Sequence, residues 1–243
     1  SVSFSEDIMK KAGLVCIKDG RASCDYFRQR VMFPYLDNYG RVIGFIGRDI
    51  SGTANAKYMN SPDTLLFKKG AVFFGMYQAR QEIARYNKVY LVEGQFDVIS
   101  FWQNGLKNVL CKSGSALDQA QVKKLHNLSQ NVTLVYDDDK AGVHAAVSQI
   151  PELLDYGFNV RCVMLPENAD PDDFAKMYTG ELREQIKRIE MGFVDYLYLK
   201  LYKTAADEPA RESGLNTITA AISHVHEDTM RNDYMRTLSR LTG

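Results

Sequence analysis

The sequence predicts an α/β protein, with a mainly parallel sheet and flanking helices, a small α+β region before it and a helical subdomain after it. Three observations support this. From residue 88, short apolar strands alternate with amphipathic helices; a hairpin pattern precedes them, and apolar residues repeat at helical spacing after residue 180. Alternating strands and helices are typical of βαβ units, whose strands run parallel in one sheet.

The first region, residues 1–87, contains a predicted β-hairpin. Residues 30–36 and 41–48 form its two strands, and the turn between them includes Gly40. Residues 57–62 are expected to be a loop, and a helix is expected from about residue 75 to 86.

The second region, residues 88–180, carries the predicted parallel sheet. Its strands are residues 89–92, 108–111, 132–136 and 160–165, and its helices lie near residues 96–104, 118–129, 140–156 and 171–178. The third region, residues 181–243, has no strand pattern, and its periodic apolar residues predict helices.

Composition narrows the class of protein. With 243 residues, 45% of them hydrophobic, the chain can fill a substantial core. Its apolar stretches fall far short of the ~20 residues of a membrane span, and no signal-peptide pattern opens it, so a soluble, cytoplasmic protein is expected. Cys16, Cys24, Cys111 and Cys162 are scattered without a CxxC pair, which predicts buried free thiols and no zinc site.

The formal net charge of zero conceals an uneven distribution. Residues 1–88 hold 14 basic and 8 acidic side chains, whereas residues 89–180 hold 7 basic and 12 acidic ones. A basic first region therefore adjoins an acidic second region, and the zero net charge does not by itself argue against a nucleic-acid-binding protein.

Acidic residues follow three of the four predicted strands. They are Glu93 and Asp97 after the first, the run 137–139 after the third, and Asp170 and Asp172 after the fourth. In an open parallel sheet, ligands bind beyond the carboxyl ends of the strands, so these groups are expected to converge. Carboxylates in one cleft repel each other unless cations neutralise them, and hard oxygen ligands suit Mg²⁺ or Mn²⁺.

Each acidic group also has a structural alternative. Asp170 and Asp172 flank a proline before a helix, where capping alone would explain them. Glu93 and Asp97 lie where carboxylates compensate a helix dipole. Three consecutive acids at residues 137–139 are harder to explain without a counter-ion, and the recurrence after successive strands favours a cation site.

The same residues resemble a known family. Glu93-Gly-x-x-Asp97 and Asp137-x-Asp139-x-Ala-Gly142 are similar to the two Toprim signatures shared by DnaG-type primases, topoisomerases and some nucleases. Residues 30–34, 40–44, 57–62 and 67–70 resemble, in order and spacing, the RNA-polymerase domain of bacterial DnaG-type primases. Residues 170–172 resemble that family's third acidic motif. The resemblance runs from about residue 8 to the end.

The resemblance implies a set of site residues. The metal ligands would be Glu93, Asp97, Asp137, Asp139, Asp170 and Asp172, with Glu93, Asp137 and Asp139 catalytic. Template or nucleotide would contact Arg48, Lys57, Tyr58 and Lys69. The charge of the hairpin region adds Arg30, Arg41 and Lys68 to these expected contacts, and Asn60 is a further one. Arg28 is a further basic candidate, and Tyr35, Tyr39 and Tyr58 are candidates for base stacking, with packing as their alternative.

Two departures from the family pattern stand out. Asp138 replaces the glycine common in primases, and Ser113-Gly-Ser115 stands where a Gly-Thr pair is usual. The resemblance also implies that residue 1 falls inside the family's polymerase domain and that the family's zinc-binding and helicase-binding modules are not among these residues.

The resemblance implies primer synthesis on single-stranded DNA by two-metal nucleotidyl transfer. Its cofactors would be two or more Mg²⁺ or Mn²⁺ ions. Its partners would be the DNA template, ribonucleoside triphosphates, the RNA–DNA hybrid product and, through a module absent from this chain, the replicative helicase; no membrane is expected. The alternatives are a Toprim nuclease or topoisomerase-like enzyme, and a non-catalytic nucleic-acid-binding Toprim scaffold.

Overall fold

A computed structural model describes residues 4–53, 55–112, 117–167 and 169–243. The first part contains helix α1 (Glu6–Lys11), the antiparallel pair β1 (Val15–Lys18) and β2 (Arg21–Asp25), and a three-stranded antiparallel sheet. The three strands of that sheet, in spatial order, are β3 (Arg30–Leu36), β4 (Val42–Asp49) and β5 (Tyr58–Asn60). A short 3₁₀ turn, Lys69–Ala71, follows.

The central sheet has six strands. They are β6 (Phe73–Phe74), β7 (Val89–Val92), β8 (Val109–Lys112), β9 (Asn131–Leu134), β10 (Asn159–Val163) and β11 (Glu190–Gly192), and their spatial order is β11-β10-β9-β7-β8-β6. The four inner strands run parallel, whereas β6 and β11 pair antiparallel at the two edges. The predicted parallel sheet is therefore confirmed.

Helices connect these strands and follow them. The connecting helices are α2 (Met76–Tyr86), α3 (Gln95–Gln103), α4 (Gln119–His126), α5 (Lys140–Asp155), α6 (Pro171–Met177) and α7 (Leu182–Ile189). After the sheet come α8 (Phe193–Leu197), a π-helical turn (Tyr198–Lys203), α9 (Glu208–Ser223) and α10 (Asp228–Thr242). No described helix is both long and apolar enough to cross a membrane.

The sheet separates two hydrophobic cores because alternate residues of a strand face opposite sides. In β7, Leu91 packs into one core with the carboxy-terminal helices, through residues such as Phe193 and Ile218. Tyr90 packs into the other core with α3, α6 and the hairpin, through residues such as Phe33. The hairpin and the terminal helices are thus held against opposite faces of one sheet.

Several sequence predictions are wrong in detail. The expected loop at residues 57–62 contains β5, which pairs with β4, and the supposedly strand-free third region contributes β11 to the central sheet. Cys16 and Cys24 are half-buried cross-strand neighbours in the β1–β2 pair, whereas Cys111 and Cys162 are buried as expected.

Candidate metal centre

The acidic groups lie beyond the carboxyl ends of the parallel strands of the central sheet. Strands β7, β9 and β10 are adjacent and parallel, so the segments that follow them emerge side by side. Electrostatic coupling between the groups supports this, since the charges of Asp137, Asp170 and Asp172 all raise the pKa of Asp97. Residues separated by more than seventy positions in the sequence are thereby brought together.

Three of these carboxylates also cap helices. Asp97 accepts a hydrogen bond from the Gly94 backbone N–H at 2.8 Å, and Asp139 accepts one from Gly142 N–H at 2.8 Å. Asp170 accepts one from Asp173 N–H at 2.7 Å. Each cap engages one oxygen of a group that has two, so capping and metal ligation are compatible.

Burial and mutual repulsion raise the pKa of several acids in this cluster. Burial is the main cause for Asp97, whose pKa rises to about 7. Partial burial also raises the pKa of the Glu93 carboxyl, with the charges of Asp137 and Asp139 adding to the effect. Asp137 responds in the same way to burial and to Asp170 and Asp139. Such groups favour a bound cation because it removes the cost of their charge.

The raised pKa of Asp97 predicts how stability depends on pH in metal-free protein. Between about pH 4 and pH 7 the folded state binds more protons than the unfolded state, so stability falls as pH rises through that window. One such group changes the free energy of unfolding by at most about 1.4 kcal/mol per pH unit. Asp97→Asn should flatten the decline in thermal unfolding temperature measured from pH 5 to 7.

The exposed Asp233→Asn substitution is the control for that measurement and should leave the decline unchanged. A decline as steep in the Asp97→Asn variant as in the unmodified chain would contradict the assignment. Divalent metal should weaken the dependence because it compensates the ionised carboxylates.

The tightest acidic cluster in the described part of the chain lies at the start of α6. Ligand oxygens of Asp170, Asp172 and Asp173 all lie within 4.8 Å of one another. The sequence prediction stopped at Asp172 and omitted Asp173, although Asp173 directly follows it. Carboxylate oxygens at this spacing fit a hard divalent cation.

Asp172 also has hydrogen-bond donors as neighbours, one of them basic. It accepts hydrogen bonds from the Ser100 hydroxyl and, at 2.5 Å, from the Lys176 ammonium. Burial alone would raise the pKa of Asp172, but these two hydrogen bonds and the charges of Lys176 and Arg48 lower it. Asp172 is therefore ionised and already partly neutralised by side chains.

The remaining inner strand, β8, brings a cation to the same end of the parallel strands. Lys112, the last residue of β8, donates a hydrogen bond to the side-chain carbonyl of Gln149 at 3.0 Å, and its charge opposes the raised pKa of Glu93. Sequence reasoning looked for acids at the strand ends and missed this lysine. Its position immediately after the predicted strand at residues 108–111 could have indicated it. The departure at residues 113–115 lies outside the described residues.

Asp138 has a different environment from Asp137 and Asp139. Its carboxylate accepts a hydrogen bond from Lys200, a residue of the π-helical turn, and both side chains are largely buried. The second signature therefore holds two acids that interact with the cluster and one that is paired elsewhere.

Arg48 and Tyr58 connect the basic antiparallel sheet to the acidic residues that follow the parallel strands. The Arg48 guanidinium lies 4.5 Å from the ring centroid of Phe96, in α3, and 5.8 Å from that of Tyr58. Arg48 lowers the pKa of Asp172, and the charge of Asp97 reaches the Tyr58 hydroxyl. Two of the predicted nucleic-acid contacts thus adjoin the predicted metal ligands.

The other predicted basic residues are placed differently. Arg30 donates to the backbone carbonyls of Gly47, Ala56 and Lys57 at 2.9–3.3 Å, so its guanidinium braces β4 and the segment before β5. Arg41 pairs with Asp37 at 2.7 Å within the hairpin turn.

Lys57, Lys68 and Lys69 are exposed, and the Lys68 ammonium lies 3.5 Å from the Asp63 carboxylate. Among the polar and aromatic candidates, Asn60 accepts a hydrogen bond from the Tyr35 hydroxyl at 3.1 Å. Tyr35 is only 1% exposed, so it packs in the core and is unsuitable for base stacking, whereas Tyr39 is 80% exposed. Arg28 is exposed and lines a cleft of about 680 Å³ with Arg30.

A parallel sheet with acids beyond three adjacent strands fits the class of Toprim-like proteins. Consistent with this, residues 90–175 match the family described as Toprim-like, and residues 1–80 match the DNA primase catalytic core, N-terminal domain. Membership of a Toprim-containing primase family implies the use of divalent metal. The chain belongs to the DnaG-type DNA primase family and corresponds to its catalytic core.

Individual relatives support this assignment. The chain is 32% identical to the DNA primase of Enterococcus faecalis, in a match that covers 98% of this chain. It is 41% identical to the DNA primase of Aquifex aeolicus, in a match that covers 75% of this chain. It spans only 39% and 36% of those relatives.

Solved structures extend the similarity to three dimensions. A DNA primase domain from Pseudomonas aeruginosa matches with a TM-score of 0.82 and 31% identity, covering 98% of this chain and 76% of that one. The Escherichia coli primase catalytic core matches with a TM-score of 0.80 and 32% identity, covering 98% and 77%. A DnaG primase catalytic domain bound to single-stranded DNA matches with a TM-score of 0.80 and 32% identity, covering 97% and 75%.

Proposed function

We propose that this chain synthesises short RNA primers on single-stranded DNA during replication in the bacterial cytoplasm. The observation that carries the proposal is the junction of two charge environments. Acidic residues beyond β7, β9 and β10 meet a basic antiparallel sheet, and Arg48 interacts with both sides of that junction. Nucleotidyl transfer needs both, because phosphates must be held beside the cations that activate them.

The proposed metal ions are two or more Mg²⁺ or Mn²⁺, with no zinc in this chain. Glu93, Asp137 and Asp139 would hold one position, and Asp170, Asp172 and Asp173 the other, and the buried Asp97, which caps α3, would supply a further ligand. Bound divalent ions supply activation of the attacking 3′-hydroxyl and neutralisation of the leaving pyrophosphate.

The chain's own residues bind and orient the reactants. Arg48 and Lys57 would contact backbone phosphates, and the exposed Tyr58 ring offers a face for a base. Lys68 and Lys69 lie on the same basic region and would attract nucleotide triphosphates. Lys112, whose charge acts on Glu93, would limit the negative charge of the site.

Each of the three regions of the chain would have a different role. Residues 1–87 would guide template and nucleotides, and residues 88–180 would hold the metal ions. Residues 181–243 would complete the sheet through β11 and stabilise it through the terminal helices. The RNA–DNA hybrid would leave along the basic sheet, and the helicase would bind through a module outside this chain. A relative's catalytic domain bound to single-stranded DNA supports the template assignment.

Primer synthesis is tested by incubating the chain with single-stranded template, Mn²⁺ and labelled ribonucleotides. Labelled RNA that requires both template and metal is the expected product. Nicked DNA without RNA would instead indicate a Toprim nuclease. Binding without either product, in the presence of Mn²⁺, would indicate a non-catalytic scaffold. Template affinity should fall steeply with salt because phosphate contacts release counterions.

A further inference from the structure

The middle acid of the second signature is paired with a residue from the far end of the chain. Asp138 and Lys200 form an ion pair whose side chains are only 11% and 16% exposed. Two charges removed from water to this degree require each other, because a lone buried charge is strongly destabilising. The pair therefore constrains the positions of both residues.

The carboxylate of Asp138 is engaged by Lys200, whereas those of Asp137 and Asp139 interact with the acidic cluster. The charge of Asp139 acts on the pKa of both Glu93 and Asp137, while the charge of Asp138, like that of Glu93, acts on the pKa of Tyr196 in α8.

The backbone of Asp138 provides a second connection. Its N–H donates a hydrogen bond to the carbonyl of Ala169 at 3.3 Å, and Ala169 immediately precedes Asp170. Asp138 thus lies between the acids that follow β9 and those that follow β10. Its position influences both halves of the proposed metal centre.

Lys200 is presented by a rigid and unusual support. The π-helical turn Tyr198–Lys203 continues α8, whose residues Phe193 and Leu197 are fully buried. Gly214 in α9 packs so closely on this turn that an added Cβ would lie 2.6 Å from the carbonyl oxygen of Leu201. Single π-helical turns are rare and frequently occur at functional sites.

We infer that Lys200 is a positioning residue that holds the Asp138 carboxylate away from the metal ions. Asp137 and Asp139 are thereby left as the ligands of the loop. Without the Lys200 ammonium, Asp138 would become an additional, misplaced ligand. This inference rests on the proposed function for its activity readout, and on metal binding and stability for an independent one.

The test compares Lys200→Met with the double variant Lys200→Met/Asp138→Asn. In the single variant, the uncompensated carboxylate should tighten Mn²⁺ binding by on the order of tenfold, measured by calorimetry. Misplaced ligation should reduce primer synthesis at least about tenfold. The loss of a buried partner should lower the unfolding temperature by about 10 °C.

Neutralising Asp138 should reverse all three effects in the double variant, because the freed carboxylate causes them. Lys203→Met, an exposed lysine in the same π-helical turn, is the matched control and should resemble the unmodified chain. Lys200→Arg, which keeps the charge, should retain the Mn²⁺ affinity of the unmodified chain.

A double variant as impaired as Lys200→Met, with equally altered Mn²⁺ binding, would overturn the inference, since Lys200 would then act independently of Asp138. Unaltered Mn²⁺ binding in Lys200→Met would overturn it too. An unmodified chain that makes no primer would refute the proposed function alone, and the reversal of Mn²⁺ affinity and unfolding temperature in the double variant would still support the ion pair.

Discussion

Replacing Asp137 by Asn is expected to reduce primer synthesis by about 10²–10³-fold, the cost typical of removing one preorganised electrostatic contact from a reaction centre. Asp137 lies directly beyond β9, and the charges of Asp139 and Asp170 act on its carboxyl group together with burial. Asn has the same shape, so the loop should keep its conformation. Template-directed incorporation of labelled ribonucleotides measures the effect.

The fold must be shown to survive that substitution. Circular dichroism and thermal unfolding should be unchanged or slightly improved, because a repelled carboxylate has been removed. Asp233→Asn, on an exposed face of α10, should retain full synthesis. Full activity in the Asp137→Asn variant would remove Asp137 from the proposed mechanism.

Replacing Gly142 by Ala is expected to disrupt the same loop through shape alone. An added Cβ would lie 2.2 Å from the carbonyl oxygen of Asp137 and 3.0 Å from its nitrogen, so the backbone of the loop or of α5 must move. Overpacking of this kind costs about 1–3 kcal/mol, which should lower the unfolding temperature by about 2–12 °C. A shift of about 1 Å at a reaction centre should cost on the order of 10²-fold in primer synthesis.

The neighbouring substitution Ala141→Ser separates this steric effect from a general effect on α5. Residue 141 is exposed, so a small added group meets solvent and both readouts should stay near those of the unmodified chain. If Gly142→Ala retained both stability and synthesis, the close approach to Asp137 would have no role in shaping the site.

The parallel core of the fold was predictable because its strands are short, apolar and separated by helices. The strand at residues 89–92 was predicted with the bounds it has in the structure. The edge strands β6 and β11 were not predictable, since they have two and three residues and no periodic pattern. Glu190 in β11 looks like a surface residue in the sequence, yet its buried carboxylate is held by Lys88 and Arg161.

The acids of the site were predictable for a related reason: the ends of parallel strands meet wherever the strands are neighbours. The sequence did not indicate which contacts each basic side chain makes. Arg30 and Arg48 both lie in predicted hairpin strands, but one braces backbone carbonyls while the other reaches α3. The Asp138–Lys200 pair spans 62 residues and depends on a π-helical turn that no periodicity indicates.

The helix-capping hydrogen bonds of the acidic residues determine how well ordered these side chains are in the metal-free protein. Asp97, Asp139 and Asp170 are each fixed by a backbone N–H at a helix start. Their side chains are therefore oriented before any ion arrives, and chelation should empty the centre without melting the helices that begin there. Cation uptake then needs little structural reorganisation, in contrast to small zinc domains in which the metal itself drives folding.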